Sequence, residues 1–182
     1  MSNPKHSARY FREAFEYVDG KLFWKERPLH HFNNIQDQQR MNSRHAGKEA
    51  GCEFKGYRGV LINRTRVATH TVIFAIHYGR IPKMVDHVDG NPLNNRIENL
   101  RQCNSLENNL NARLRKDSQS GVKGVSWSKA CKKWVAYAKL NGAHKHLGTF
   151  DAIFDAVATR RSFANRHYGE FVNHGSRALE GK

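Results

Sequence analysis

The segment V-D-H-V-D-G-N-P-L-N-N-R-I-E-N-L, residues 85–100, holds two aspartates, one histidine and four asparagines. Apolar residues lie at both ends of the segment, and its centre, D-G-N-P at residues 89–92, is dense in turn-forming residues. This pattern predicts two short antiparallel arms that enclose a turn. So many small polar side chains indicate either an elaborate surface turn or a metal-dependent active site.

A helix is predicted directly after the two arms. Residues 104–107, N-S-L-E, have the form of a capping box, with an asparagine N-cap and a glutamate three residues later. Leucines at positions 106, 110 and 114 then recur at helical spacing. We therefore expect a helix from about residue 105 to about residue 116. Its last turn is basic, which suits the negative end of the helix dipole.

Asp86 and His87 are neighbours on the first arm, so on a strand their side chains point to opposite faces. A carboxylate is a hard oxygen ligand for Mg²⁺, and an imidazole can take a proton from water near neutral pH. A neutral amide oxygen on the following helix would complete a one-metal site without adding charge. These residue types favour the active-site interpretation.

The charge of the chain indicates a nucleic-acid partner. The 182 residues carry a formal net charge of +15, divided into +8 over residues 1–84, 0 over residues 85–117 and +7 over residues 118–182. Basic flanks suit a phosphate backbone, and a neutral middle with acidic residues suits a divalent cation. A membrane partner is not expected, because neither a basic amphipathic helix nor an apolar run of about 18 residues is present.

The cysteines and the N-terminus point to a reducing cytoplasm. The three cysteines are far apart in sequence and include no C-x-x-C pair, which argues against a disulfide framework and against a cysteine-ligated zinc site. The first ten residues lack the apolar core of a signal peptide. A cytoplasmic location is therefore expected.

Before the motif, the sequence predicts little regular structure in the first 56 residues. Asp19-Gly20 is expected to turn into a strand at residues 21–25, and residues 28–50 to form an irregular basic loop. A hairpin follows over about residues 56–70. A short buried helix is then expected at residues 71–79, capped by Thr69 or Thr71 and ended by Gly79.

After a linker at residues 117–121, a second module is predicted. Its expected strands are residues 122–127, 134–140 and 144–147, and its expected helix runs from about 152 to 168 with Asp151 as the N-cap. Asn141-Gly142 is a strong hairpin turn. Ala136 and Ala138 of the middle strand are expected to face Ile153, Ala156, Val157 and Ala164 of the helix, so that helix and sheet lie close together.

The motif D-H-V-D-G-N-P-L-N-N-R-I-E-N-L, followed by S-L-E-N-N-L-N, resembles the HNH nucleases, in particular the homing endonucleases of phages and their introns. The resemblance covers about residues 57–115 and implies a ββα-metal fold that hydrolyses DNA. In that family the first histidine is the general base, and the middle asparagine braces the two arms and orients that base. The last histidine or asparagine is a metal ligand on the helix.

Matched to this pattern, His87 is the implied general base and Asp86 the metal ligand that precedes it. Asn99 is the implied bracing asparagine. Asn108 is the implied second protein ligand, with Asn109 as the alternative because the repeated asparagine leaves the register open by one residue. The implied cofactor is Mg²⁺ or Mn²⁺, since oxygen ligands suit both ions.

The stretches G-V-K-G-V-S-W, K-W-V-A-Y-A-K and H-L-G-T-F-D-A resemble the DNA-binding domain of plant Apetala/ethylene-response factors over about residues 118–174. The resemblance implies a three-stranded sheet that lies in the major groove. The residues predicted to contact DNA are Arg113, Arg115, Lys116, Lys123, Ser126, Ser128, Lys129, Lys132, Lys139, His144, Lys145 and His146, and a phosphate contact from Arg96 or Arg101 is a further option. Serines stand where the plant family carries arginines, which weakens any guanine readout.

Other histidines are interpreted more plainly. His70 and His77 are expected to be structural. The pairs His30-His31 and His144-x-His146 are metal-ligating by residue type, but neither has a third ligand nearby in the sequence. A solvated or DNA-facing role is therefore favoured for both pairs.

The sequence thus predicts an α+β chain with an HNH ββα-metal core and a small three-stranded antiparallel sheet plus helix. The predicted parts are a basic extension (1–56), a nuclease domain (57–116), a linker (117–121), a DNA-binding domain (122–174) and a tail (175–182). The predicted function is site-specific, metal-dependent cleavage of double-stranded DNA by a homing-type enzyme, as a monomer or homodimer in the cytoplasm of a phage's bacterial host. The alternatives are a DNA-binding regulator with an inactive nuclease core and a structure-specific nuclease acting on branched DNA.

Overall fold

A computed structural model describes residues 7–112, 114 and 118–172 of the chain. The chain divides into two compact units, Met1–Asn104 and Ser105–Lys182. The domain limits predicted above were drawn from sequence motifs, whereas these two units are defined by packing. The predicted limits therefore stay a prediction. The predicted DNA contacts Arg113, Arg115 and Lys116 and the predicted tail lie outside the described residues.

The first unit is built from short antiparallel strand pairs and three helices among its described residues. In chain order it contains α1 (Ala8–Ala14), β1 (Phe15–Val18), β2 (Lys21–Trp24), a 3-10 helix (Leu29–His31), α2 (Ile35–His45), β3 (Cys52–Phe54), β4 (Tyr57–Ile62), β5 (Thr65–Ala68), α3 (Thr69–Tyr78), β6 (Val85–His87), a second 3-10 helix (Ile97–Asn99) and β7 (Leu100–Gln102). Strand β1 pairs with β2, β4 lies between β3 and β5, and β6 pairs with β7.

One apolar core joins the N-terminal elements of this unit to the motif. Phe11 and Phe15, from α1 and β1, pack with Leu22 of β2 and with Ile73 of α3, and all four side chains are almost fully buried. Leu100 of β7 belongs to the same cluster. The first residues of the chain therefore support the motif through packing, and the motif does not stand on its own core.

Residues 28–50 are more regular than the sequence predicted. Helix α2 occupies Ile35–His45, and the side-chain oxygen of Asn34 caps it by accepting a hydrogen bond from the Asp37 amide at 2.8 Å. None of the residues of α2 is buried, so the expectation of little core was right while the expectation of an irregular loop was wrong.

Helix α3 is the buried helix expected after the hairpin. It ends at Gly79, which adopts the left-handed conformation with φ of 72°, as predicted. The predicted threonine cap was wrong, because Ala68 occupies the N-cap position without a side-chain hydrogen bond and Thr69 is already the first residue of the helix. Burial of Val72 and Ile73 against the core, rather than a cap, holds this helix.

The second unit consists of a three-stranded antiparallel sheet covered on one face by a helix. Its elements are α4 (Ser105–Asn111), β8 (Val125–Ser128), β9 (Lys133–Leu140), β10 (Ala143–Phe150), α5 (Ile153–His167) and a 3-10 helix (Gly169–Phe171). Strand β9 lies between β8 and β10. Helix α4 ends at Asn111, so it is shorter than the predicted helix over residues 105–116.

Small residues allow the close approach of α5 to this sheet, as predicted. Ala136 and Ala138 on β9 and Ala156 and Ala164 on α5 are all buried. Ile153 was expected on the same helix face, but it is the first residue of α5 and is 37% exposed.

Local turns decide where the strands of the second unit begin and end. The predicted Asn141-Gly142 turn is present, with φ of 50° and 83° at its two residues. Strand β8 begins at Val125 rather than at residue 122, because Gly124 precedes it with φ of 72°. A Cβ at Gly124 would lie 2.4 Å from the carbonyl oxygen of Tyr137, so only glycine fits there.

Asp151 does not cap α5. Ala152 is at the N-cap without a side-chain hydrogen bond, and the Asp151 carboxylate instead pairs with Lys133 at 3.1 Å. A cross-strand lysine therefore replaces the predicted cap interaction. Among the described residues, no helix combines the length and the apolar character needed to span a bilayer.

Candidate functional site

The two predicted arms are the antiparallel pair β6 and β7. Their register places Asp86 opposite Arg101 and His87 opposite Leu100. Oxygen Oδ2 of Asp86 accepts hydrogen bonds from Nε and Nη2 of Arg101 at 3.2 and 3.0 Å. Both side chains of this ion pair are largely buried, which fixes the direction of the carboxylate.

His87 is held by a buried asparagine of the loop between the arms. His87 is 5% exposed, and its Nε2 lies 3.0 Å from Oδ1 of Asn95. When Nε2 donates to that oxygen, Nε2 carries the proton and Nδ1 is the basic nitrogen of the ring. The contact therefore selects both an orientation and a tautomer for His87.

The contact of Asn95 with His87 was not predicted from the sequence. Asn95 is 2% exposed, and its Nδ2 has no hydrogen-bond partner among the residues that the structure describes. The only signal in the sequence is the doubled asparagine N-N-R, which does not say which of the two side chains turns inward.

Asn99 braces the loop between the arms. Its Oδ1 accepts a hydrogen bond from the Asp89 amide at 3.0 Å, and its Nδ2 donates to Oδ1 of Asp89 at 2.9 Å and to the Asn94 carbonyl at 2.8 Å. The Asn99 carbonyl also accepts a hydrogen bond from the amide of Val88 at 2.9 Å. These bonds join the start of the loop to its end.

Asp89 is the acceptor on which this loop converges. Its carboxylate accepts from the Asn91 amide at 2.7 Å, from Nδ2 of Asn94 at 2.7 Å and from Asn99. Partial burial raises the pKa of the Asp89 carboxyl, but the hydrogen bonds from Asn94, Asn91 and Asn99 outweigh burial and hold the pKa below its usual value. Two of the four asparagine side chains of the segment, those of Asn94 and Asn99, thus serve this one carboxylate.

His70 lies against His87, a neighbour that the sequence did not predict. The two rings meet edge to face with centroids 5.0 Å apart, and the Tyr57 ring lies 6.0 Å from His70 and 6.4 Å from His87. Burial, reinforced by the charge of His87, lowers the pKa of His70 to about 4. His70 is therefore a neutral ring at neutral pH. His77, in contrast, contacts the Ile73 carbonyl at 2.9 Å within its own helix.

Asn108 and Asn109 lie on α4, in the second compact unit. Within the first unit, Asp86 is the residue predicted as a metal ligand, and Arg101 contacts Oδ2 of its carboxylate. Carboxylate and carboxamide oxygens are the donors that Mg²⁺ and Mn²⁺ prefer, so the residue types fit such an ion.

The second unit displays five of the predicted DNA contacts on the sheet face opposite α5. Along β9, Ala136 and Ala138 are buried while Tyr137 and Lys139 are exposed. The register pairs His144 with Lys139 and His146 with Tyr137, and paired residues share a face. Ser126 and Ser128 lie on this face as well, since they pair with Val135 and Lys133.

Four predicted contacts lie elsewhere in the second unit. Lys145 pairs with Ala138, so its Cβ lies on the sheet face that α5 covers. Lys129 and Lys132 are exposed in the turn between β8 and β9. Lys123 donates to the Leu110 carbonyl of α4 at 2.8 Å, which gives it a structural contact.

Comparisons with known proteins agree with the position of the motif. A family model described as HNH endonuclease matches residues 67–110, which run from β5 to α4. Protein 3.8 of Escherichia phage T7 is 34% identical over 105 residues, covering 57% of this chain and 86% of that protein. No solved structure matches the chain.

Proposed function

Because the chain belongs to the HNH endonuclease family, we propose that it is a site-specific, metal-dependent endonuclease of the homing type that hydrolyses double-stranded DNA. One observation carries the proposal. His87 is buried in β6, next to the Asp86 carboxylate, and Asn95 fixes its ring at 3.0 Å. A surface turn would not require a buried and oriented imidazole.

In this reaction His87 is the general base. Asn95 engages Nε2, so the proton of the attacking water is taken at Nδ1. The neutral ring of His70 packs beside it and adds no competing positive charge at neutral pH. Asn99 acts on His87 indirectly. Its hydrogen bonds to Asp89 and Asn94 hold the loop that carries Asn95.

Asp86 is the metal ligand that the first unit contributes, and Asn108, or Asn109, is the second ligand implied by the family motif. An Mg²⁺ or Mn²⁺ ion held by these residues would supply charge stabilisation to the phosphate and to the departing oxygen. Arg101 holds Oδ2 of Asp86 and keeps that carboxylate oriented for this role.

DNA binding is proposed for the second unit. Lys139, His144 and His146 lie exposed on the sheet face opposite α5, and a twisted three-stranded sheet can enter the major groove. Lys129 and Lys132 at the end of the sheet are suited to phosphate contacts. This arrangement separates target recognition from hydrolysis.

A plasmid assay tests the proposal. Supercoiled plasmids that carry fragments of phage DNA are incubated with the full-length protein in Mg²⁺, in Mn²⁺ and in EDTA. We expect nicked or linear product only with metal, and a loss of about 10²- to 10⁴-fold in rate for His87→Ala, the usual contribution of a general base. The matched control is His45→Ala, a histidine of α2.

DNA that is bound on a gel but stays intact with every metal would contradict the nuclease proposal and favour a DNA-binding regulator. Cleavage confined to branched DNA, with no preference among duplex sequences, would favour a structure-specific nuclease instead.

A further inference from the structure

Three metal-ligating side chains converge in the first unit outside the motif. Glu13 lies on α1, and His30 and His31 form the 3-10 helix that follows β2. Their ligand atoms all lie within 4.8 Å of one another. Among the described residues, this is the group of three histidine, cysteine or acidic side chains close enough to share a metal ion. We propose that Glu13, His30 and His31 bind a transition-metal ion of the zinc type, which fastens α1 to this 3-10 helix.

The geometry brings both imidazoles to one carboxylate oxygen. Nε2 of His30 lies 2.7 Å from Oε2 of Glu13, and Nε2 of His31 lies 2.8 Å from the same oxygen. Arg9 donates to the other oxygen, Oε1, at 2.9 Å, which leaves Oε2 directed at the two histidines. The two imidazole rings are nearly perpendicular, at 89°, so their nitrogens approach from different directions.

These separations are close to those of a tetrahedral site. Ligand atoms at the usual bond lengths of zinc stand about 3.4 Å apart, which a small opening of the two hydrogen bonds would reach. Binding replaces the two imidazole protons that now lie between nitrogen and Oε2, and each proton leaves to solvent or moves to the other ring nitrogen. The fourth position would be taken by water.

The surroundings fit a metal ligand at each residue. The hydrogen bond from Arg9 to Oε1 holds the Glu13 carboxylate in place. His31 is buried, and its ring stacks on Tyr10 with centroids 4.2 Å apart, which fixes the orientation of the ring. The side chain of His30 is 60% exposed and gives an ion access from solvent.

The donor set selects the class of metal. Two imidazole nitrogens and one carboxylate oxygen suit Zn²⁺ and its neighbours among the transition metals, whereas Mg²⁺ prefers oxygen ligands alone. The site is therefore distinct in chemistry from the oxygen-ligand site proposed at Asp86. It does not depend on the nuclease proposal.

The consequence is a cross-link within the first unit. Phe11 and Ala14, on either side of Glu13 in sequence, are buried in the core, while the histidines follow the strand that ends the first hairpin. An ion that binds only the folded state adds RT ln(1 + [L]/Kd) to the free energy of unfolding, where [L] is its free concentration. Zn²⁺ should therefore raise the melting temperature of the first unit.

The test uses full-length protein freed of metal with a chelator. Co²⁺ is titrated as a spectroscopic substitute for Zn²⁺ and followed by its visible absorption, and thermal melting is recorded with and without Zn²⁺. We expect one Co²⁺ to bind with a tetrahedral spectrum that Zn²⁺ displaces and Mg²⁺ does not. His30→Gln and Glu13→Gln should weaken this binding at least 100-fold and abolish the Zn²⁺-dependent shift in melting temperature.

Two controls separate this site from others. Asp86→Asn and the double variant His144→Gln/His146→Gln should keep the Co²⁺ spectrum and the Zn²⁺ shift. The proposal is overturned if wild-type protein shows neither, if His30→Gln retains both, or if either control loses them. Since His30 is mostly exposed, its variant should fold, and comparison of the wild type with and without Zn²⁺ needs no variant.

Discussion

In the first unit, Asp86, His87 and Asn95 are each less than a tenth exposed, whereas in the second unit Lys139, His144 and His146 are exposed to solvent. The buried set is fixed by hydrogen bonds among its own members and with Arg101. The exposed set has no comparable network in the described residues. The difference fits two separate roles. A group that takes part in the reaction must be held in one orientation, whereas a group that binds DNA must be accessible to it.

The apolar cores of the two units also differ, in the size of the side chains that they bury. The first unit packs large side chains such as Phe11, Phe15 and Ile73. The core of the second unit is mostly small residues, among them Ala136 and Ala156, which bring α5 close to the sheet. The first unit therefore has more apolar surface to hold a buried polar site in place.

The largest effect that sharpens this comparison is on stability. Phe15→Ala empties a site that is 1% exposed and should cost about 3–5 kcal/mol in the free energy of unfolding. The matched variant in the second unit is Phe154→Ala, where the ring is 77% exposed, and it should change stability by less than about 0.5 kcal/mol. Urea unfolding of both variants measures the difference. Equal losses would contradict the difference in burial between the two rings.

The next effect is the pH dependence of stability. His70 titrates near its ordinary pKa of 6.5 when unfolded but at about 4 when folded, so the unfolded chain takes up the proton first as the pH falls. The stability that this difference provides is complete above pH 6.5 and is lost as the pH falls toward 4, by at most about 3 kcal/mol. His70→Phe should flatten this loss in urea unfolding measured between pH 7 and pH 4.5. An unchanged slope would contradict the assignment.

A smaller effect concerns the partner of the proposed base. Asn95→Ala removes the contact to Nε2 of His87 and should slow cleavage roughly 10- to 100-fold, the range seen when a partner that orients a reactive histidine is lost. Asn91→Ala is the matched control, because Asn91 is exposed and bonds only within the turn among its recorded contacts. Single-turnover cleavage rates report both. Equal slowing by the two variants would show that the loop, not the His87 contact, is what matters.

The smallest effect separates the two faces of the sheet. Lys139→Ala, on the face opposite α5, should lower the slope of log affinity against log salt concentration by about 1. Lys145 lies on the other face of the sheet, so Lys145→Ala should leave the slope unchanged. Binding to duplex DNA by fluorescence anisotropy at several salt concentrations measures both slopes. A larger change for Lys145→Ala would reverse the proposed docking face.

Local features of the fold followed from the sequence because their causes are local. The end of α3 at Gly79, the Asn141-Gly142 turn and the two arms of residues 85–100 are each encoded within a few residues. The sequence also placed small residues correctly between β9 and α5. The mixed α and β character with small antiparallel sheets was predicted as well.

Interactions between distant residues could not be predicted in this way. The choice of Asn95 rather than its neighbour for the His87 contact depends on which side chain turns into the core. Lys133 takes the carboxylate of Asp151 away from the helix end, and Glu13 meets His30 and His31 only after the first hairpin forms. Spacing along the chain carries no signal for such contacts, because they are fixed by the packing of separate elements.

The division of roles between the units is tested most directly by measuring hydrolysis and binding separately in the same two variants. Single-turnover cleavage is recorded at saturating enzyme with Mg²⁺, and DNA affinity is recorded without cleavage in Ca²⁺. We predict that His87→Ala loses at least about 100-fold in cleavage rate and keeps its affinity, while Lys139→Ala loses affinity and keeps its rate. The account is contradicted if His87→Ala cleaves at the wild-type rate, or if Lys139→Ala loses rate at saturation and keeps its affinity.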